Sequence, residues 1–427
     1  MESSIGIVVG VDLAADYTQI SYYVTGMSEP DSMSTIHNEQ KYLIPTVLFK
    51  WKDKDEWLLG DEAMLRAGRH EGTAVDDILK KVLLDKGDTI EGREYTAKEI
   101  LDIYFRLLFE QIRRGCNISC IEAIGITIEY PDRVLIDNIY SSVKELGIEE
   151  DKIRVVGHSE ALLYFITNQK KEIWTNDVAL FDFSKDHFIY RKVSRVRGRN
   201  PEVLDVSEYD LSDEFSYEDL KNEEGRIKAD ERLLTLVQND FKSHIVSAVF
   251  LTGMGFYDED FIKNSLPYLC NKRRVFKGHN LFVKGACYAI MEKLSIINND
   301  CYQFMCTGRT FVTIGINVLH RDKTVMLCLS KAGVNWYEAG AIVKCILDDT
   351  KEINVKVINP VNKVERDIKL DLSEFPDRPN KTTKVEITVA YKSEKQLSII
   401  VRDLGFGDFF EASDKILRMN INTEEWI

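Results

Sequence analysis

The chain has 427 residues, 44% hydrophobic and 30% charged, which is ordinary for soluble globular protein and enough for two or three domains. It carries 70 acidic and 56 basic residues, a net charge of −14, which argues against nucleic acid as the main partner because phosphate binding needs a basic face. No apolar run reaches the roughly 18 residues of a membrane span, and MESSIGIVVG lacks the basic start and long apolar core of a signal peptide. The expectation is a cytoplasmic protein without a membrane span.

In chain order, residues 5 to about 175 alternate strand-like runs (IGIVVGVDL, QISYYVTG, YLIPTVLFKW, CIEAIGITIEY) with the helical patterns TAKEILDIYFRLLFEQIRR and DRVLIDNIYSSVKELG. From about 176 to 300 the mixture recurs, with NDVALFDF, ADERLLTLVQNDF, SAVFLTGMG, DEDFIKNSLPYLC and NLFVKGACYAIMEKL. After about 306 only short alternating strands follow: KTVMLCLSKAG, INVKVINP, DIKLDL, KVEITVAYK and QLSIIVRDL. Strand and helix alternation predicts an α/β region, and the closing run of strands predicts an all-β module. There Ile353, Val355 and Val357 alternate in one strand and Val385, Ile387 and Val389 in another, the period of a half-buried sheet face.

Between the first two parts there is a weak repeat. VVGVDLAADYTQISYYV and DVALFDFSKDHFIYRKV each run from an apolar strand through an aspartate and a short polar turn to a second strand, matching Asp12 and Asp16 with Asp182 and Asp186. Two such hairpins are expected of a duplicated fold with a cleft between its lobes. RKVSRVRGR, with five basic residues, precedes PEVLDVSEYDLSDEFSYEDLKNEEG, with ten acidic ones and a single lysine. The Gly-Arg-Asn-Pro turn between them predicts a hairpin in which the charges cancel. The eight cysteines have neither CxxC spacing nor nearby histidines suited to zinc, and are expected to be mostly buried free thiols.

On these motifs the chain resembles the Hsp70 chaperones of the actin-like ATPase superfamily over nearly its full length. Gly10, Val11, Asp12 and Leu13 match the start of the family's first phosphate loop, G-[IV]-D-L-G-T-T. IPTVLFKWKDKDEWLLGDEAM resembles its proline-led strand followed by G-D-x-A, and AIGITIEYPDRVLIDNIYSSVKELGIEEDKIRVVGHSEALLYF resembles its V-T-V-P strand, helix and N-E-P-T-A-A connector. VFLTGMGF is similar to the adenosine loop, with Gly253 and Gly255 in it, and KGACYAI to the helix that follows. VTIGIN and SEFPDRPNKTTKVEITVAYKSEKQLSIIVRDLG look like the peptide-binding β-sandwich, and only EASDKILRMNINTEEWI follows, so the helical lid is missing.

The resemblance implies a two-lobed α/β domain over residues 1–305, with lobes of about 1–175 and 176–305, then a β-sandwich over 306–427. It implies ATP or ADP with Mg²⁺ as ligand, nucleotide contacts at Gly10, Asp12, Asp182, Gly253 and Gly255, and Mg²⁺ near Asp12 and Asp182. An aspartate in a hairpin also accepts turn N–H bonds, which is the alternative reading of both. Lys80 in ILKKV is the positional candidate for the family's catalytic lysine, beside Asp12 and Asp182. His158 stands where the connector has glutamate; it and His187 are residue types suited to general-base work, though a lone histidine is more often structural.

The departures weaken that chemistry. The phosphate-loop glycines are replaced by Ala14, Ala15 and Asp16 in the first loop and by Ser184, Lys185 and Asp186 in the second. Glycine lets backbone N–H groups approach phosphates closely, and carboxylates there repel them. The short span from Asp182 to Thr252 implies a reduced adenine-covering subdomain, and SEYDLSDEF replaces a Gly-Gly stretch that reaches the phosphates. CYQFMCTGRTF stands in place of the family's leucine-rich acidic linker, so weak coupling between the two parts is expected. The leading expectation is a chaperone-related or interaction protein whose cleft does not hydrolyse ATP and binds nucleotide weakly or not at all. It would take a protein or peptide partner through the β-sandwich. An active ATP-dependent chaperone and an actin-like scaffold or filament protein are the alternatives.

Overall fold

The computed structural model describes residues 6–35, 41–69, 71–116, 120–256 and 259–424. Residues 1–5 of the stretch read for a signal peptide, and Asp258 of one expected helix, lie outside the described residues. The chain is a mixed α/β protein that divides into two units, Met1–Ser194 with Ser207–Asp300, and Arg195–Val206 with Cys301–Ile427.

In the first unit, the apolar run ending at Asp12 and Leu13 becomes strand Gly6–Leu13, buried along almost its whole length because both sheet faces are covered. It pairs antiparallel with Tyr17–Tyr23 and parallel with Cys120–Ile128, which in turn pairs parallel with Ile153–Gly157. The second hairpin repeats this order: Asp177–Phe183 pairs antiparallel with Phe188–Val196 and parallel with Val246–Thr252, which pairs parallel with Arg274–Lys277. The repeat extends to register. Asp12 lies opposite Thr127 and Asp182 opposite Thr252, and each central strand has one irregularity, before Val8 and before Val178, four positions ahead of its aspartate.

Helices cover the sheets. Ala97–Gly115 starts at a capping box formed by Thr96 and Glu99, and Arg133–Glu145 at Asp132, whose carboxylate accepts from the Val134 and Leu135 N–H groups. Glu223–Ser243 buries Ala229, Leu233, Val237 and Phe241 against Phe181, Tyr190 and their neighbours on the second sheet. The acidic run therefore leaves the sheet after strand Glu202–Asp210 and continues as helix, so it is strand only in its first part. DEDFIKNSLPYLC forms a short 3₁₀ turn, Glu259–Ile262, and helix Ser265–Leu269, shorter than its pattern predicts.

Helix Leu281–Lys293 corrects the expected lobe boundary. It follows all but the last strand of the second sheet in the chain but packs on the first, against strands Gly6–Leu13 and Cys120–Ile128, and beside helix His158–Thr167. Three glycines permit the contact. A Cβ at Gly10 would lie 2.5 Å from the Val283 carbonyl oxygen, one at Gly125 would lie 2.0 Å from that of Ala286, and one at Gly285 would lie 2.0 Å from that of Ala161.

The second unit holds two four-stranded antiparallel sheets. One runs Lys323–Ser330, Thr313–His320, Glu352–Ile358, Glu365–Asp371, and the other Gly340–Ile346, Lys384–Ser393, Gln396–Asp403, Ile416–Asn422. Val355 and Val357 from one and Val385, Ile387 and Val389 from the other share a single apolar core, with Ile353 at its margin. The hairpin tip belongs to this unit, and there Arg195 grips Glu202 with a two-pronged ion pair, Nη2 lying 2.8 Å from each carboxylate oxygen. The eight cysteines are free thiols, but only Cys287 and Cys306 are buried, while Cys120, Cys270, Cys301 and Cys328 are exposed. Cys120 and Cys328 occupy exposed strand positions and Cys270 and Cys301 lie between elements, which composition does not reveal.

Candidate functional site

The two repeated hairpins place their aspartates on one cavity of about 120 Å³, lined also by Ala14, Ala15, Asp16, Glu129, His158, Ser184, Asp186, His187, Thr252, Gly253, His279 and Phe282. Each aspartate is the penultimate residue of a buried strand, so its carboxylate leaves the sheet where the hairpin turns.

Both carboxylates are already engaged. Asp12 Oδ1 lies 2.9 Å from His158 Nε2, and the His158 ring stacks on Phe282 with centroids 3.9 Å apart and planes at 7°. With the carboxylate as acceptor the proton sits on Nε2, and the buried Nδ1 has no hydrogen-bond partner among the described residues. Asp182 accepts from Arg191 Nη1 at 3.3 Å, and His187 Nε2 lies 3.6 Å away as an ion-pair contact beyond hydrogen-bond length. Burial by itself would raise the Asp182 carboxyl, but His187 and Arg191 outweigh it and hold the pKa at about 2. Burial, followed by the nearby Asp186, pushes Asp16 up. Burial lowers His279.

Each loop spends one of its N–H groups within its own turn. Ala14 N–H donates to the Tyr17 carbonyl at 3.3 Å, and Ser184 N–H to that of His187 at 2.9 Å, so each turn consumes a donor internally. Thr46 pins the first loop, its hydroxyl donating to the Ala14 carbonyl at 2.9 Å and its N–H to that of Asp16 at 3.0 Å.

Among the sequence candidates, Asp12, Asp182, Gly253, His158 and His187 line the cavity. Gly10 does not: its missing Cβ makes room for the Val283 carbonyl. Gly255 is buried against the Phe183 ring, which a Cβ would meet at 2.5 Å, and is likewise a packing position. Gly253 has φ +88° and sits against the Phe183 carbonyl, so glycine is required there whether or not a ligand approaches. Lys80 is exposed on helix Ile78–Leu83 and is absent from the cavity lining, because the helix turns its Ile78 and Val82 face inward. Among the described residues no three His, Cys, Asp or Glu side chains come together to hold a metal ion. With Asp12 and Asp182 both paired, Mg²⁺ does not fit this donor set.

Sequence reasoning missed Arg191, Glu129, His279 and Phe282. Arg191 was legible only as part of a basic run, although its place between Ile189 and Val193, on an otherwise apolar face, was a signal. Glu129 meets His187 Nδ1 at 3.3 Å and joins the end of a first-sheet strand to the second hairpin.

Burial lowers the His187 imidazole, yet contact with Asp182 and Glu129 outweighs it and raises the pKa above its ordinary value. A raised histidine stabilises the fold fully below its unfolded pKa of about 6.5, and the contribution fades as pH climbs through the folded value. The stability gap between wild type and His187→Gln should therefore be widest in mildly acidic buffer and close in alkaline buffer. Urea denaturation across pH measures it, and a gap that grows with pH would contradict the assignment.

These observations define a mixed α/β protein in which two sheets share a strand order and a small cavity is lined by acidic side chains, two of them paired within the protein. Residues 29–307, more than half of the chain, match "Family of unknown function (DUF5716) C-terminal", and the chain belongs to that family. Residues 309–423 match "Domain of unknown function (DUF8552)". No curated protein matches the chain.

Proposed function

We propose that the protein is a non-hydrolysing, Hsp70-like interaction protein, with an actin-like two-lobed domain followed by a β-sandwich that takes a protein or peptide partner. The duplicated strand order and the matched positions of Asp12 and Asp182 support the two-lobed reading. The two four-stranded sheets around one core support the sandwich.

The observation that carries the loss of hydrolysis is the engagement of Asp182 by Arg191 in a cavity of about 120 Å³. That volume lies below the roughly 300 Å³ at which small-molecule pockets begin. Phosphoryl transfer depends on positioning and electrostatic stabilisation by loop backbones, and the loop N–H groups at Ala14 and Ser184 are spent within their own turns.

The test is phosphate release by the purified protein beside an Asp12→Ala, Asp182→Ala double variant, with thermal melts in Mg-ATP and Mg-ADP. The expected result is turnover equal to background in both proteins and no nucleotide-dependent rise in melting temperature. Turnover that vanishes in the double variant would replace this reading with that of an active ATP-dependent chaperone.

A further inference from the structure

We propose that the Arg191 guanidinium is a built-in cation that fills the place of a divalent ion in this cleft and fastens its two sides together. Arg191 is fully buried, and a buried charge is destabilising unless it is well paired. Its partners come from four separate elements. Nη1 donates to Asp182 on the central strand of its own sheet at 3.3 Å, and Nε lies 3.2 Å from Glu208 on the adjoining strand. Nε also lies 3.0 Å from Ser159 Oγ on helix His158–Thr167, and the guanidinium sits over the Phe282 ring of helix Leu281–Lys293, 5.6 Å from its centroid.

The first two partners are carboxylates of the second sheet, and the last two belong to the helices packed on the first sheet. One side chain therefore neutralises acidic groups at the base of the cleft and ties the second sheet to the cover of the first. Ile189 and Val193 flank Arg191 on the same face of its strand and are buried, so an aliphatic side chain would suit that position by packing alone. What the arginine adds is a fixed positive charge, with a planar fork that reaches several acceptors at once. A divalent cation needs the same carboxylate oxygens, and it cannot share them with the guanidinium.

The inference rests on reading the cleft as a rebuilt nucleotide-type cleft only in taking a divalent ion as what Arg191 replaces. Its test therefore uses Mn²⁺ alone, without nucleotide. Mn²⁺ binding to the full chain, followed by electron paramagnetic resonance, should show no Asp182-dependent site in the wild type. Arg191→Met should gain one site, bound at least about tenfold more tightly than any wild-type site, since a unit positive charge is removed from within a few ångströms. The site should vanish again in Arg191→Met, Asp182→Asn. Arg191→Lys keeps the charge and should bind no Mn²⁺.

If Arg191→Met folds only when Mn²⁺ is supplied, the metal has taken over the role of the arginine and the inference stands. It falls if wild type binds Mn²⁺ through Asp182, if Arg191→Met binds no more tightly, or if that variant stays unfolded with Mn²⁺ as well as without. None of these outcomes depends on ATP turnover, so the two proposals fail separately.

Discussion

Gly125→Ala should be among the most damaging single-methyl changes in this protein. The added carbon would lie 2.0 Å from the Ala286 carbonyl oxygen and 2.9 Å from its carbon, both backbone atoms of helix Leu281–Lys293. No rotamer relieves a backbone contact, so the helix must move off the first sheet and lose the packing of Val283, Ala286, Cys287 and Ile290, all buried. Overpacking a core typically costs 1–3 kcal/mol, and with a rigid partner the expected loss is about 3 kcal/mol or more. Gly285→Ala should behave alike, its new carbon lying 2.0 Å from the Ala161 carbonyl oxygen. Gly68→Ala is the control, since nothing stands within 4 Å of its Cβ position and its φ is −76°. Chemical denaturation of the three variants measures the ranking. A Gly125→Ala protein as stable as Gly68→Ala would mean that the helix does not sit where it is described.

The second large effect concerns Arg378→Ala in the second unit. Arg378 forms a two-pronged pair with Asp403, Nη1 to Oδ1 at 2.7 Å and Nη2 to Oδ2 at 2.8 Å, and the Asp403 side chain is fully buried. The same carboxylate accepts the Gly405 N–H at 3.0 Å and the Ser413 N–H at 2.8 Å, so it fastens the loop before strand Lys384–Ser393 to the loop after Gln396–Asp403. Burial would raise the Asp403 carboxyl, but Arg378, Ser413 and Gly405 outweigh it and hold it well below the usual carboxylate range. Removing one partner of a buried ion pair leaves the other charge uncompensated and costs about 3–5 kcal/mol.

A depressed carboxylate contributes stability above its unfolded pKa of about 3.9 and loses it as pH falls further. The Arg378→Ala deficit should accordingly be full near neutrality and shrink in strong acid. Thermal and urea melts at both pH values measure it. A deficit below about 1 kcal/mol at neutral pH would place the pair among solvent-screened surface bridges.

Much of the local structure was legible in the sequence. Period-two alternation located Val355, Val357, Val385, Ile387 and Val389, because a strand sends alternate side chains to opposite faces whatever surrounds it. The pattern TAKEILDIYFRLLFEQIRR located helix Ala97–Gly115, which starts at the Thr96 and Glu99 capping pair. The hairpin repeat put Asp12 and Asp182 on one cavity.

What failed depends on segments distant in the chain. Gly10 was read from a motif as a nucleotide contact, yet its role is set by Val283, a residue the motif does not contain. Lys80 was chosen by position along the chain, and the orientation of its helix turned it to solvent. Arg191 entered only as one member of a basic run because its partners, Ser159, Asp182, Glu208 and Phe282, come from four different elements. Sequence by itself determined the elements and the two aspartates at the hairpin turns, because period, capping and turn chemistry act between residues a few positions apart. The tertiary structure decided which side chains would pair with those aspartates and which helix would cover which sheet, since both follow from close packing between surfaces that meet only once the chain has folded.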